Sequence, residues 1–114
     1  MWMTAGGQRF AVTVADNDVA RAFASQLPLS LDMSELNGNE KHGALPRALS
    51  SADASRPGTL RKGDVMLYGA KTVVVFYATF RSSYAYTRLG TVNEPELLPQ
   101  ALGDGAVRVG FSAE

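Results

Sequence analysis

The sequence predicts a mainly β fold, a closed or nearly closed antiparallel β-barrel with two short helices. Three observations support this prediction. About seven short segments alternate apolar and polar residues or are rich in β-branched and aromatic ones, turn residues separate them, and only two short segments have helical spacing. The 114 residues, of which 46% are hydrophobic, suit a single domain, 1–114, with one core.

The first predicted elements are a hairpin and a helix. Residues 2–5 and 8–14 form the hairpin, since the glycine pair between them supplies the positive φ angles of a two-residue turn. Residues 17–26 form the helix, because Asn17 can cap its first turn and apolar residues then recur at helical spacing. The helix must end before Pro28.

A second half-buried strand is predicted from Leu29 to Met33, where apolar and polar residues alternate, and a turn at 37–38 follows it. Residues 39–61 are predicted to be mostly loop, since glycine, proline and serine interrupt every long periodic pattern there. An irregular stretch of this length inside a compact domain is typical of a binding loop or a mobile flap.

The centre of the core is predicted at the hairpin of residues 65–68 and 72–80. The second of these segments is dense in β-branched and aromatic residues and lacks alternation, which indicates a strand covered on both faces. Another strand is expected within 84–92.

The C-terminal part is predicted to contain the second helix and a last strand. Residues 93–96 have the form of a capping box, Pro99 is expected to interrupt the helix that follows, and Gly103 ends it. Residues 107–111 alternate and complete the set of strands.

Composition excludes several classes of function. Eleven basic and eleven acidic residues give a net charge of 0, which disfavours a dedicated nucleic-acid or membrane-surface binder. There is no cysteine and the only histidine is His42, which excludes thiol chemistry and a multi-histidine metal site within one chain. With no visible targeting segment and no long apolar stretch, we expect a cytoplasmic protein without a cofactor, metal or membrane partner.

Several short motifs follow one another as in a known family. They are Gln26-Leu27-Pro28-Leu29-Ser30-Leu31-Asp32-Met33, Glu40-Lys41, Leu45-Pro46, Gly63-Asp64-Val65 with Tyr68, Val75-Phe76-Tyr77, and Leu89-Gly90-Thr91-Val92. In this order the motifs resemble the small prokaryotic cyclophilin-like proteins, over nearly the whole chain. The resemblance implies a closed antiparallel barrel of eight strands with two helices over its ends.

The same motifs are similar to the true cyclophilins, which are peptidyl-prolyl isomerases. That resemblance implies that Phe76 or Tyr77 lies near the apolar pocket for proline. The chain departs from the pattern because it has no Phe-His-Arg segment and no Gln-Gly-Gly-Asp, so the arginine that assists rotation of the prolyl bond has no match. Arg81, at the end of the predicted strand 72–80, is the candidate substitute.

Aromatic residues are concentrated between positions 76 and 86. Phe76 and Phe80 are predicted to share one side of their strand and to fill the barrel, while ligand contact is the alternative. Tyr84 and Tyr86 lie near a loop, where a tyrosine pair suits recognition of an amphipathic ligand.

Two acidic positions and the single histidine leave further alternatives. Glu40 and His42 are either an acid–base pair at the mouth of the barrel or, with Lys41, a local ion pair that holds the loop. Asp64 is either a turn residue or, with Glu40, part of a metal site.

Three functional hypotheses follow. The first is a non-enzymatic module, monomer or homodimer, that binds a peptide segment or small ligand in a groove beside the 73–92 strands and under the 39–61 loop. The second is a weak or divergent prolyl isomerase that uses Phe76, Tyr77 and Arg81. The third is a small-molecule enzyme that uses Glu40, His42 or Asp64.

Overall fold

The structure, a computed structural model, describes residues 1–113. In chain order its elements are β1 (Trp2–Ala5), β2 (Gln8–Val14), α1 (Asp18–Ala24), β3 (Leu29–Leu36), β4 (Glu40–Ala44), β5 (Thr59–Leu60), β6 (Asp64–Tyr68), β7 (Thr72–Phe76), β8 (Phe80–Arg81), β9 (Thr87–Val92), α2 (Leu98–Leu102) and β10 (Val107–Ser112). Across the described range, neither helix is long and apolar enough to cross a membrane.

Eight strands close into an antiparallel barrel in the order β1-β10-β3-β4-β7-β6-β9-β2. Closure depends on β1, which pairs with β2 through the predicted glycine hairpin and with β10 on its other side. Gly6 and Gly7 both have positive φ angles, as that turn requires. The remaining strands, β5 and β8, form a separate two-stranded sheet. The predicted closed barrel with two short helices is confirmed.

The main core lies inside the barrel, where alternate residues of each strand point inward. Val73 and Val75 of β7 belong to it, and both are fully buried. The helices contribute to the same core, because Phe23 of α1 meets the ring of Phe111 edge-on at 5.4 Å and Leu98 of α2 is fully buried among the same residues. The barrel is therefore filled by side chains and leaves a ligand only its outer surface.

The first helix begins as the sequence predicts. Asn17 caps it, since its side-chain oxygen accepts a hydrogen bond of 2.7 Å from the Ala20 amide. The Asn17 amide group also donates to the Arg88 carbonyl at 2.9 Å, which attaches the helix start to β9. The helix ends at Ala24, two residues before the predicted end.

The prediction of a mostly irregular segment at 39–61 is wrong for its first part. Residues Glu40–Ala44 form β4, which pairs with β3 on one side and β7 on the other and so belongs to the barrel wall. Three consecutive polar residues conceal this strand in the sequence. Alternation turns Lys41 into the barrel and leaves Glu40 and His42 on the outer face.

The prediction of one continuous strand at 72–80 is also wrong. The strand β7 ends at Phe76, and the chain pairs again only at Phe80 in β8. Because Val73 and Val75 take the inward positions, Phe76 points outward and packs against Phe80, with ring centroids 5.5 Å apart. Both rings therefore lie outside the barrel rather than filling it, as members of a second, smaller apolar cluster.

Two boundaries near the C-terminus differ from the predictions. Strand β9 begins at Thr87, and Tyr86 makes only a single bridge to Ser55. Helix α2 begins at Leu98 without a side-chain cap, because its N-cap residue, Leu97, has no polar side chain. The predicted cap, Asn93, lies outside the helix and accepts a 2.6 Å hydrogen bond from Thr13. Pro99 does not interrupt this helix, since it lies in the first turn, where a missing N–H is tolerated.

Candidate functional site

A pocket of about 370 Å³ lies on the outer face of the barrel, over β4, β7 and β6. Its size falls within the range common for small-molecule sites, roughly 300–1,000 Å³. It is lined by Leu36, Asn37, Glu40, His42, Tyr68, Thr72, Val74, Phe80, Tyr84 and Tyr86. Most of these side chains are apolar or aromatic, and a few polar ones are placed among them, which is the usual composition of a ligand site.

The floor of the pocket is the outer face of the sheet. Glu40 and His42 point outward from β4, and in the β4–β7 register they stand opposite Phe76 and Val74. Tyr68 is the last residue of β6. Strand alternation thus brings a carboxylate, an imidazole and a phenol to one surface without any irregular backbone.

The wall of the pocket comes from residues 80–86, which are held in place by the segment before β6. Ser55 and Tyr86 exchange two backbone hydrogen bonds of 2.9 and 2.8 Å, and Leu60 of β5 pairs with Phe80 of β8. Leu60 is fully buried in the outer apolar cluster. These contacts hold the wall of the pocket in position, although part of the wall faces solvent.

The aromatic rings of the site touch one another in a chain. Tyr68 meets Tyr84 edge-on at 5.8 Å and Tyr86 at the same distance, and Tyr86 meets Phe76 edge-on at 5.7 Å. Tyr86 and Phe76 are buried, but Tyr68 and Tyr84 are 45% and 61% exposed. Among residues 1–113, four large hydrophobic side chains are exposed, and Leu36, Tyr68 and Tyr84 of the pocket are three of them. Such a concentration of exposed apolar surface is typical of a binding site.

Glu40 is the only carboxylate among the pocket-lining residues, and it is only 5% exposed. No hydrogen-bond donor or cation within the described range contacts it. Burial raises the pKa of Glu40 above its usual value, and the nearby negative charge of Glu35 raises it further. The side chain is largely buried, but its carboxylate oxygens are not among the fully enclosed, unpartnered polar atoms, so they still reach solvent and are accessible to a ligand.

The cation that adjoins Glu40 in sequence serves a different group. Lys41 is fully buried inside the barrel, where its ammonium donates to the Glu35 carboxylate at 2.9 Å and to the carbonyls of Gly103 and Gly105 at 2.8 and 2.6 Å. The Tyr77 hydroxyl donates to the same carboxylate oxygen at 2.7 Å. The ion pair that the sequence placed within residues 40–42 is thus made by Lys41 with Glu35, inside the barrel.

This network shifts the ionisation of both its acids. Partial burial opposes ionisation of Glu35, but hydrogen bonds from Lys41 and Tyr77 hold its pKa below the usual value. Burial together with the Glu35 carboxylate raises the pKa of Tyr77 to about 12. The network therefore contains an ionised glutamate and a neutral phenol at neutral pH, and its role is structural.

A protein-family model described as the cyclophilin-like family matches residues 3–112. The chain belongs to the cyclophilin-like family. None of the curated proteins and none of the solved structures compared with the sequence matched it. The family assignment accounts for the barrel, and the function has to be argued from the site itself.

The site of this cyclophilin-like chain includes five of the residues named as candidates from the sequence. Glu40, His42, Phe80, Tyr84 and Tyr86 all line the pocket, and for Phe80 this is the ligand-contact alternative. Phe76 lies beneath them as part of the buried cluster that supports the aromatic wall.

Two other candidates lie elsewhere. Tyr77 packs against the barrel core and bonds to Glu35, so it does not line the pocket. Arg81 lines a neighbouring open groove of about 770 Å³ together with Arg56. The groove and the pocket share one lining residue, Tyr84.

Asp64 is likewise separate from the pocket. Its carboxylate accepts hydrogen bonds of 2.8 Å from Arg88 and from the Arg61 amide, which matches the turn role considered for it. In the part of the chain that the structure describes, no three acidic or histidine side chains come close enough to hold a metal ion. Asp64 and Glu40 do not form such a cluster.

Five further residues line the pocket without having been candidates from the sequence: Tyr68, Leu36, Asn37, Thr72 and Val74. A signal for Tyr68 was present, because alternation along β6 puts Val65 and Leu67 inside and leaves Tyr68 as a large aromatic residue on the outer face. No local signal marked the other four, which come together at the pocket through the pairing of β3, β4 and β7.

Proposed function

We propose that this cyclophilin-like chain is a non-enzymatic binding module whose pocket accepts one compact ligand group. That group belongs either to a free small molecule or to a side chain of an extended peptide. The observation that carries this proposal is the Glu40 carboxylate, which has no partner among the described residues and lies in the floor of a pocket walled in part by exposed tyrosines.

The shape of the site favours binding over catalysis. The aromatic side chains offer apolar contact area, while Asn37, Glu40 and His42 offer polar groups that fix the orientation of a ligand. Glu40 and His42 stand on one strand, but no serine or cysteine is among the residues that line the same pocket, where Thr72 is the one aliphatic hydroxyl.

The proposal is tested by nuclear magnetic resonance of the isotope-labelled chain titrated with short capped peptides. The probes are N-acetyl amides of Ala-Pro, Ala-Phe and Ala-Lys. We expect at least one probe to shift the backbone signals of residues 40–42 and 68–74 in a saturable way, since these residues carry the floor of the pocket.

Two variants sharpen this test. Tyr84→Ala removes an exposed wall residue and is expected to weaken binding at least fivefold without unfolding the chain, as roughly expected for a partly exposed aromatic contact. Leu97→Ala is the matched control, because Leu97 is 52% exposed and lies outside the pocket. Shifts confined to other surfaces, or no saturable shifts with any of the three peptides, would reject the proposal.

Prolyl isomerisation is the second candidate, and one observation favours it. Because Tyr84 lines both the pocket and the groove that contains Arg81, an extended peptide bound in the pocket has a path to that arginine. A protease-coupled assay on prolyl peptides tests this candidate.

A further inference from the structure

The charge balance of the pocket specifies the ligand group more narrowly. Glu40 contributes a carboxylate and His42 is the only basic side chain that lines the pocket. The nearest cation in sequence, Lys41, points to the other side of the sheet and is bonded to Glu35 and two carbonyls. The charge of Glu40 is therefore free to be matched by a ligand.

Three tyrosine rings that line the same pocket as this carboxylate add a second attraction for positive charge. Tyr68, Tyr84 and Tyr86 all line the pocket, and Tyr68 touches both others at ring distances of 5.8 Å. Grouped aromatic rings attract cations through their electron-rich faces, and cages of such rings are a common means of recognising alkylated ammonium groups.

We propose that the pocket recognises a singly charged ammonium group, which pairs with Glu40 and packs against Tyr68, Tyr84 and Tyr86. This inference rests on the proposed binding function and names its ligand class. An ammonium group supplies the partner that the Glu40 carboxylate lacks among the described residues, and its alkyl substituents match the apolar wall.

The neighbouring groove limits the ligand to a single positive charge. Arg56 and Arg81 line that groove, next to Tyr84. A dication whose second charge extends past Tyr84 would approach these guanidinium groups and be repelled. The site therefore selects a monovalent ammonium over a polyamine.

The inference is tested with a matched pair of probes, choline and its uncharged carbon analogue 3,3-dimethylbutan-1-ol. The two have nearly the same shape and differ in charge. In a titration followed by nuclear magnetic resonance at pH 7.5, we expect choline to bind at least tenfold more tightly than the alcohol. Spermidine, which carries several charges, is expected to bind more weakly than choline.

Two substitutions identify the groups responsible. Glu40→Gln should weaken choline binding at least tenfold and leave binding of the alcohol within twofold, because the amide keeps the shape and loses the charge. Tyr84→Ala should weaken the binding of both probes, and it should weaken the binding of choline more strongly than that of the alcohol. Glu94→Gln, at an exposed position outside the pocket, is the matched control and should change neither.

Each other outcome rejects the ammonium inference. Equal affinity for choline and the alcohol would show that the ligand's charge is not recognised. The same conclusion would follow if Glu40→Gln, shown by its spectrum to be folded, bound choline as tightly as the wild type. If capped peptides or the alcohol bind in the pocket and choline does not, the binding function stands and its ligand class is wrong. If none of the probes binds there, both proposals fail.

Discussion

The ammonium of Lys41 lies 2.9 Å from the carboxylate of Glu35, inside the barrel, although Glu40 is its neighbour in sequence. Strand alternation causes this choice, because consecutive residues of β4 point to opposite faces of the sheet. One carboxylate is thus neutralised in the interior, and the other is left unpaired on the outer face. Two consecutive residues of β4 therefore serve different parts of the molecule: Lys41 belongs to the structural network inside the barrel, and Glu40 belongs to the candidate site outside it.

Lys41→Met is expected to lower the free energy of unfolding by about 2–4 kcal/mol, because it leaves the Glu35 carboxylate and two carbonyls without their donor. Urea unfolding followed by circular dichroism measures the loss. Lys71→Met, at an exposed turn, is the control and should change stability by no more than about 0.5 kcal/mol. A Lys41→Met variant as stable as the control would contradict the structural role of the network.

Much of the barrel follows from local signals in the sequence. The hairpin at Gly6 needs only a glycine pair between two alternating segments, and the Asn17 cap needs only its own side chain and the next turn. Strand β4 has no such signal. Alternation turns its Lys41 inward, and a lysine is tolerated there because Gly103 and Gly105, more than sixty residues away, present carbonyls to its ammonium.

The candidate site was predicted only in part for a similar reason. Tyr84 and Tyr86 stand out as tyrosines beside a loop, and they do line the pocket. Tyr68 joins them because the β6–β7–β4 register places it opposite Thr72, which pairs with Ala44, on the same outer face as His42 and Glu40. The pairing of distant strands was the part of the fold that the sequence did not specify.

Glu40→Gln should stabilise the chain at neutral pH, by about 1 kcal/mol, the size common to substitutions that remove a functional group from a costly position. Because burial raises the pKa of Glu40 in the folded state, that state holds its proton to higher pH than the unfolded chain does. Ionisation of Glu40 therefore lowers stability as the pH rises from about 4.5 through the folded-state pKa.

The measurement is the difference in unfolding free energy between wild type and Glu40→Gln across pH 4 to 8. The gain in stability from Glu40→Gln should be smallest at pH 4, where Glu40 is largely protonated in both the folded and the unfolded state. It should be largest at pH 8. The titratable groups facing this position are Glu35 behind it, His42 beside it and the tyrosines Tyr68, Tyr84 and Tyr86. Glu94→Gln serves as control, and a Glu40→Gln gain that is flat with pH would argue against a buried, ionisable Glu40.

Gly90→Ala is expected to destabilise the barrel by about 1–3 kcal/mol, as overpacking commonly does. A Cβ atom at position 90 would lie 2.7 Å from the Thr13 carbonyl oxygen and 2.9 Å from a Val12 methyl group, so β2 and β9 would have to move apart. Gly105→Ala is the matched control, because nothing lies within 4 Å of its added Cβ and its φ angle is not positive. Equal thermal stability of the two variants would contradict the close approach of these strands.

Prolyl isomerase activity is expected to be absent, because Arg81 lies in the groove beside the pocket and not among the residues that line it. A protease-coupled assay on prolyl peptides with varied preceding residues, with a true cyclophilin as positive control, measures this. The uncatalysed barrier is roughly 18–20 kcal/mol, so a donor must reach the prolyl nitrogen while the ring occupies the apolar pocket. Acceleration that is lost in Arg81→Ala and kept in the exposed control Arg47→Ala would show that a peptide bridges both surfaces. That result would replace the non-enzymatic proposal with the isomerase, because the shared residue Tyr84 would then hold a substrate between its pocket and its catalytic arginine.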